Sequence, residues 1–218
     1  MSHLHIPDGI IAIWLWVLGY VLTAVYFFIF ARHIKKTSSY KKIPVVSVLG
    51  ALMLLSMSIP VPFFLPYHIN LSSLAGILVG PFYAGSAIFC VNMILALLGH
   101  GGVTIIGLNT VILTIEAGIA YFLYKKFKSA FTATFCALIV SAFLTITVIY
   151  LGTHDLDLLL DCHECAGGHE HEAVFSPDRF LLMVLAVGAM GWTLESFITN
   201  FIVNYIKRVK PELLEKKE

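Results

Sequence analysis

The chain has 218 residues, 59% of them hydrophobic and 12% charged, with a formal net charge of +1. A soluble domain carries about 25% charged residues, and a soluble fold of this length would expose a large wet surface that these polar residues are too few to cover. The composition therefore excludes a soluble domain, alone or beside a membrane part, and the small net charge says nothing about partners.

The chain opens Met1-Ser2-His3-Leu4-His5-Ile6-Pro7-Asp8-Gly9. A free α-amino group titrates near neutral pH. A His two or three positions along can fold back so that amine, intervening amides and imidazole share one plane. Amides give up their protons only to a metal that rewards a square plane of nitrogens, Ni²⁺ or Cu²⁺. With Met1 retained, His3 closes a plane of amine, two amides and imidazole. With Met1 removed ahead of the small Ser2, the plane holds amine, one amide and imidazole, and one corner stays open for another ligand. In the plainer reading the two histidines are incidental, and Pro7-Asp8-Gly9 only turns the chain into its first helix.

Apolar runs occupy residues 10–31, 43–64, 71–98, 104–124, 130–151 and 180–206, each reaching the ~20 residues that span a hydrocarbon core. No Lys or Arg and no small-residue cleavage site precede the first run, which reads as a retained span. Basic residues cluster after the first run (Arg32, Lys35, Lys36, Lys41, Lys42), the fourth (Lys125, Lys126, Lys128) and the last (Lys207, Arg208, Lys210). The positive-inside rule puts these clusters in the cytoplasm and the N-terminus outside. An even number of crossings must then separate Lys42 from Lys125, so the 71–98 run returns to the side it started from. Gly80-Pro81 is the reversal point, since Pro cannot continue the preceding helix. The arm before it is about 15 Å long, half a hydrocarbon core. The expected fold is an all-α polytopic membrane protein of about seven transmembrane helices, one short or re-entrant. It forms a single transmembrane domain over residues 1–218, with the N-terminus outside and the C-terminus cytoplasmic.

On this topology 13 of 14 Lys and Arg lie inside, while eight of nine His and eight of 13 acidic residues lie outside. The positive-inside rule accounts for the missing cations but not for the surplus of histidine. Such an outer face suits a cation. His68 comes after Pro60, Pro62 and Pro66, in a segment too proline-rich for regular helix. Irregular backbone at membrane depth is tolerated only when buried in protein or lining a cavity, so His68 is expected to be a metal ligand. Asn70 and Asn109 either orient ligands or cap helices.

Three segments resemble a known family. His5-Ile6-Pro7-Asp8-Gly9 is similar to the amino-terminal motif of the CbiM/NikM family, the substrate-specific membrane components of energy-coupling-factor (ECF) transporters for cobalt and nickel. Ile59-Pro60-Val61-Pro62, then His68 and the stretch to Pro81, is a second match. Gly99-His100-Gly101-Gly102-Val103-Thr104, running to Gly107-Leu108-Asn109-Thr110, resembles the family's glycine-rich segment and the G-x-N-T after it. The resemblance implies that the metal sits in a square plane of terminal amine, the backbone amide and imidazole of the neighbouring His, and a second His, matched here by His68. The family's His usually comes directly after the initiating Met, whereas Ser2-His3-Leu4 intervenes here. Ring size favours His3 and motif position favours His5, and both stay open. The family's Asp in the glycine-rich segment is His100 here, a possible fifth ligand. The candidate metal-site residues are thus Met1, Ser2, His3, His5, His68 and His100.

The implied role is capture of divalent nickel or cobalt for import across the cell membrane, a transport linked to cobalamin biosynthesis. The metal is cargo and no cofactor is expected. The implied partners are a transmembrane coupling subunit, cytoplasmic ATPases and a small accessory membrane subunit, beside membrane lipid; no nucleic acid is expected. No P-loop motif is present. Small-xxx-small pairs at Ser47/Ala51 and Gly76/Gly80 offer close docking to a coupling subunit. The segment 153–178 forms an outer loop with Cys162-His163-Glu164-Cys165 and His169-Glu170-His171. It reads as a weak metal collector, a zinc site, a disulfide or a solvated acidic loop. Two further classes remain: an outward-facing metal sensor, and an intramembrane metalloenzyme using Glu116 and Glu195, the only two carboxylates within spans. An enzyme is not expected.

Overall fold

The computed structural model describes residues 12–37, 42–58, 61–63, 65–99, 101–152 and 177–213. Within them the apolar runs fold as seven α-helices: α1 (Ile13–Thr37), α2 (Ile43–Ser58), α3 (Ser72–Val79), α4 (Pro81–Leu97), α5 (Ile106–Phe127), α6 (Ala130–Gly152) and α7 (Pro177–Val209). Among the described residues, three stretches, Ile13–Arg32, Val103–Phe127 and Ala130–Gly152, are helices long and apolar enough to cross a membrane. Large apolar side chains point outward from the bundle, including Phe28 on α1, Val48 on α2, Phe122 on α5, Phe143 on α6 and Phe201 on α7. A surface this apolar would be a liability in water and is at home against acyl chains. The expectation of a helical membrane protein with about seven helices, one of them short, is met.

Two boundaries differ from those read in the sequence. The second apolar run continues to residue 64, but α2 stops at Ser58. Pro60 and Pro62 lack the backbone N–H that a helix would use. The chain instead forms a small antiparallel hairpin, β1 (Val61–Phe63) and β2 (Leu65–Tyr67), with Val61 opposite Tyr67 and Pro62 opposite Pro66. At the other end, α7 begins at Pro177, inside the segment read as outer loop; Pro is at ease in a first turn because its missing N–H would be unpaired there anyway.

The short arm is a helix of eight residues, α3, and every one of them is buried. It crosses α5 in backbone contact at Gly76, where a Cβ would stand 2.1 Å from the Ala117 carbonyl oxygen. Gly76 therefore serves packing inside the bundle and is not available as a docking face. Gly80 ends α3 at φ 85 and ψ 161, a conformation open essentially to Gly alone. Pro81 then takes the first turn of α4.

One contact fixes the depth of α3. Lys42, at the start of α2, donates to the Val79 carbonyl at 3.4 Å and lies 5.3 Å from the centre of the Tyr83 ring. The end of α3 is thus level with the start of α2. At 1.5 Å per residue α2 is about 24 Å long and α3 about 12 Å. The chain between Ser58 and α3 has therefore come back to about half the depth of the bundle before α3 begins. Non-helical backbone at that depth has to be surrounded by protein, and at Asn70 and Leu71, where the chain enters α3, it is buried. Leu71, Leu74 and Ile88 are buried in one core cluster with Met53, Met57, Leu113 and Val203, drawn from neighbouring helices. The other end of the bundle is closed by a smaller cluster of Leu15, Ile105, Leu108 and Ile149. There the Ala12 amide donates to the Gly152 carbonyl at 3.2 Å.

Candidate functional site

His68 lies in the non-helical stretch between β2 and α3 and is half-buried. The backbone just beyond it is held unusually firmly. Asn70 turns the chain into α3 by accepting the Ser72 amide on its side-chain oxygen at 2.7 Å. This closes a side-chain turn of the kind Asn favours. Leu71 sits at φ 59 and ψ 15, the left-handed region, which costs a non-glycine residue about 1–2 kcal/mol. Strain of this kind persists where the surroundings over-determine the backbone.

Here the surroundings are two carboxylates with no exposed surface. Glu195, near the middle of α7, accepts the Leu71 amide on Oε1 at 3.0 Å and the Asn70 amide on Oε2 at 3.3 Å. Both oxygens of one carboxylate thus grip two successive N–H groups. Glu116, near the middle of α5, takes the side chains. Its Oε1 accepts from the Ser72 hydroxyl at 2.5 Å, the Ser73 hydroxyl at 2.9 Å and the Asn70 amide nitrogen at 3.2 Å. Glu116, Glu195, Asn70, Ser72 and Ser73 are all fully buried. Hydrogen bonds of this kind strengthen away from water.

Of the residues singled out in the sequence, the structure describes His68, at mid-depth and two residues ahead of this clamp. Asn70 belongs to the clamp, where it caps the start of α3 and also reaches Glu116. Asn109 is half-buried in the first turn of α5. Its neighbour Thr110 accepts from Asn92 at 3.3 Å. Met1, Ser2, His3, His5 and His100, and the Cys162–His171 cluster, lie outside the described residues. Among the described residues, no three of His, Cys, Asp and Glu come together as a metal site. Glu116 and Glu195 stood out in the sequence as rare carboxylates in apolar spans, and their assignment to catalysis is not what the geometry supports. They act on the segment that bears His68.

With this geometry in view, the chain can be set beside known proteins. The family model described as cobalt uptake substrate-specific transmembrane region, CbiM, matches residues 5–213. Comparison with curated proteins gives no match. Among solved structures, the chain is similar to a crystal structure of a truncated transition metal transporter, with a TM-score of 0.73 and 20% identity over 94% of this chain and 99% of that one. A second crystal structure, of a transition metal transporter, matches with the same TM-score and identity over 94% of this chain and 93% of that one. At this identity the two structures establish a common fold.

Proposed function

The chain belongs to the CbiM family of cobalt-uptake substrate-specific transmembrane proteins, and from that premise we propose that it is the capture component of an ECF-type importer for divalent nickel or cobalt. It is a membrane component of metal uptake, and its family is one of transporter parts and not of enzymes. The finer reading adds the metal site. His68 supplies one imidazole, and the amino terminus, through its amine and His3 or His5, supplies the rest of a nitrogen plane, with His100 as a fifth donor. A plane of nitrogens suits low-spin Ni²⁺. The metal is the transported substrate.

The observation that carries this reading is the placement of His68. It sits at mid-depth on irregular backbone, beside a strained turn held by two buried carboxylates. Polar groups at such depth are costly and are usually functional. Capture also needs partners. A coupling subunit with cytoplasmic ATPases would supply the energy, and exposed Ser47 and Ala51 on α2 offer a small-residue face for close helix contact.

Uptake of radiolabelled Ni²⁺ and Co²⁺ by cells tests the transport role. Cells expressing the chain with its coupling subunit and ATPases are expected to accumulate one of the two metals, and His68→Ala cells are not. Metal binding by the purified chain without any accumulation would instead support a sensor.

A further inference from the structure

The metal reading leaves Glu116 and Glu195 without a task, since neither belongs to the expected nitrogen plane. We infer that Glu116 and Glu195 are positioning residues for His68: together they hold the backbone of residues 70–73 in the one conformation that presents His68 to the metal. This deepens the metal-capture reading and rests on it.

The geometry assigns a distinct part to each carboxylate. Glu195 binds backbone at Asn70 and Leu71, and so fixes the path of the chain just beyond His68 whatever side chains it carries. Leu71 would leave the left-handed region if released, because that conformation is unfavourable for a residue with a Cβ. Such a relaxation would swing the backbone that leads back to His68. Glu116 binds the side chains of Asn70, Ser72 and Ser73 and so locks the first turn of α3 to α5. The two carboxylates come from different helices, 46 and 125 residues along the chain from Asn70. His68 is thereby referenced to the middle of α5 and of α7 at once. A ligand on a non-helical segment needs such outside support, because metal affinity is steep in ligand position. Residues that orient a ligand from behind typically contribute about 10- to 100-fold to metal affinity.

The test uses the full-length protein in detergent with Ni²⁺ and then Co²⁺. Affinity is read by calorimetry, the ligand field by the visible d–d spectrum of the bound metal, and the apo fold by thermal unfolding. Glu195→Gln keeps the shape but replaces one acceptor oxygen with an NH₂ group that cannot receive an N–H. It is expected to weaken binding about 10-fold or more and to shift the d–d bands, with Glu195→Asp, which keeps two acceptor oxygens, recovering part of the affinity. Thr134→Val on α6, also fully buried, is the control for a merely structural effect and is expected to leave affinity and spectrum unchanged. Should Glu195→Gln fail to fold, Ser73→Ala, which removes a single donor to Glu116, decides in its place, with a several-fold loss of affinity expected. Wild-type affinity and spectrum in the folded clamp variants, with binding lost in His68→Ala, would overturn the positioning role and leave the capture reading standing. So would an equal loss in Thr134→Val. Full binding by His68→Ala would overturn both.

Discussion

Asn70 touches both buried carboxylates, its backbone amide on Glu195 and its side chain on Glu116. That double engagement explains how a polar cluster survives at the depth where a membrane protein is driest. The polar groups of Asn70, Ser72 and Ser73 meet partners from other helices, and buried polar groups are tolerated on those terms. Removing one acceptor undoes several contacts at once. Glu116→Ala leaves two hydroxyls and an amide facing an apolar cavity. Interhelical hydrogen bonds in membranes average about 0.6 kcal/mol and reach about 1.7, and orphaned buried donors cost more. We therefore expect Glu116→Ala to lose about 2–4 kcal/mol of stability, read from denaturant titration in mixed micelles; a loss below about 0.5 kcal/mol would contradict the packing described. At this scale the sequence was only partly legible. His68 stood out because three prolines precede it. Glu116 and Glu195 stood out as charges in apolar runs, but nothing local to them tells that their partners lie 46 and 124–125 residues away.

The element that sets the site is α3 with its two ends. Its start is pinned by carboxylates and its finish by Gly80, whose φ of 85 no other residue adopts without strain. A Cβ at Gly80 would meet only Tyr121, at 4.0 Å, so substitution tests the backbone and not the packing. Gly80→Ala is expected to cost about 1–3 kcal/mol in thermal or denaturant unfolding, and an unchanged midpoint would contradict the reversal as described. The reversal itself could be read in advance, since basic residues at both Lys42 and Lys125 demand an even number of crossings between them. The end of α2 could not be read as well. Hydropathy continues past Ser58, and only the missing N–H groups of Pro60 and Pro62 stop the helix. The pairing of 61–63 with 65–67 has no alternation or turn signature strong enough to announce a hairpin. Gly76 shows the opposite error, because a small-residue spacing that suggests docking to another subunit is spent on Ala117 within this one.

For the whole molecule, the outward apolar side chains, the seven helices among the described residues and the family match agree on a membrane component of metal uptake. On the proposed capture role, a short helix that stops half-way leaves half-buried His68 on the non-helical backbone ahead of it as a metal ligand. The expected approach is by the chain's own amino terminus. The most direct measurement is metal stoichiometry with intact-mass analysis of the purified protein, comparing wild type with His3→Ala, His5→Ala and His68→Ala. Capture through this site predicts about one Ni²⁺ or Co²⁺ per wild-type chain, lost in His68→Ala and in one of the two amino-terminal variants. The mass would show which residue bears the free amine. Undiminished binding in all three variants would place the metal elsewhere, with the Cys162–His171 segment first to be tested, and would contradict the assignment of His68.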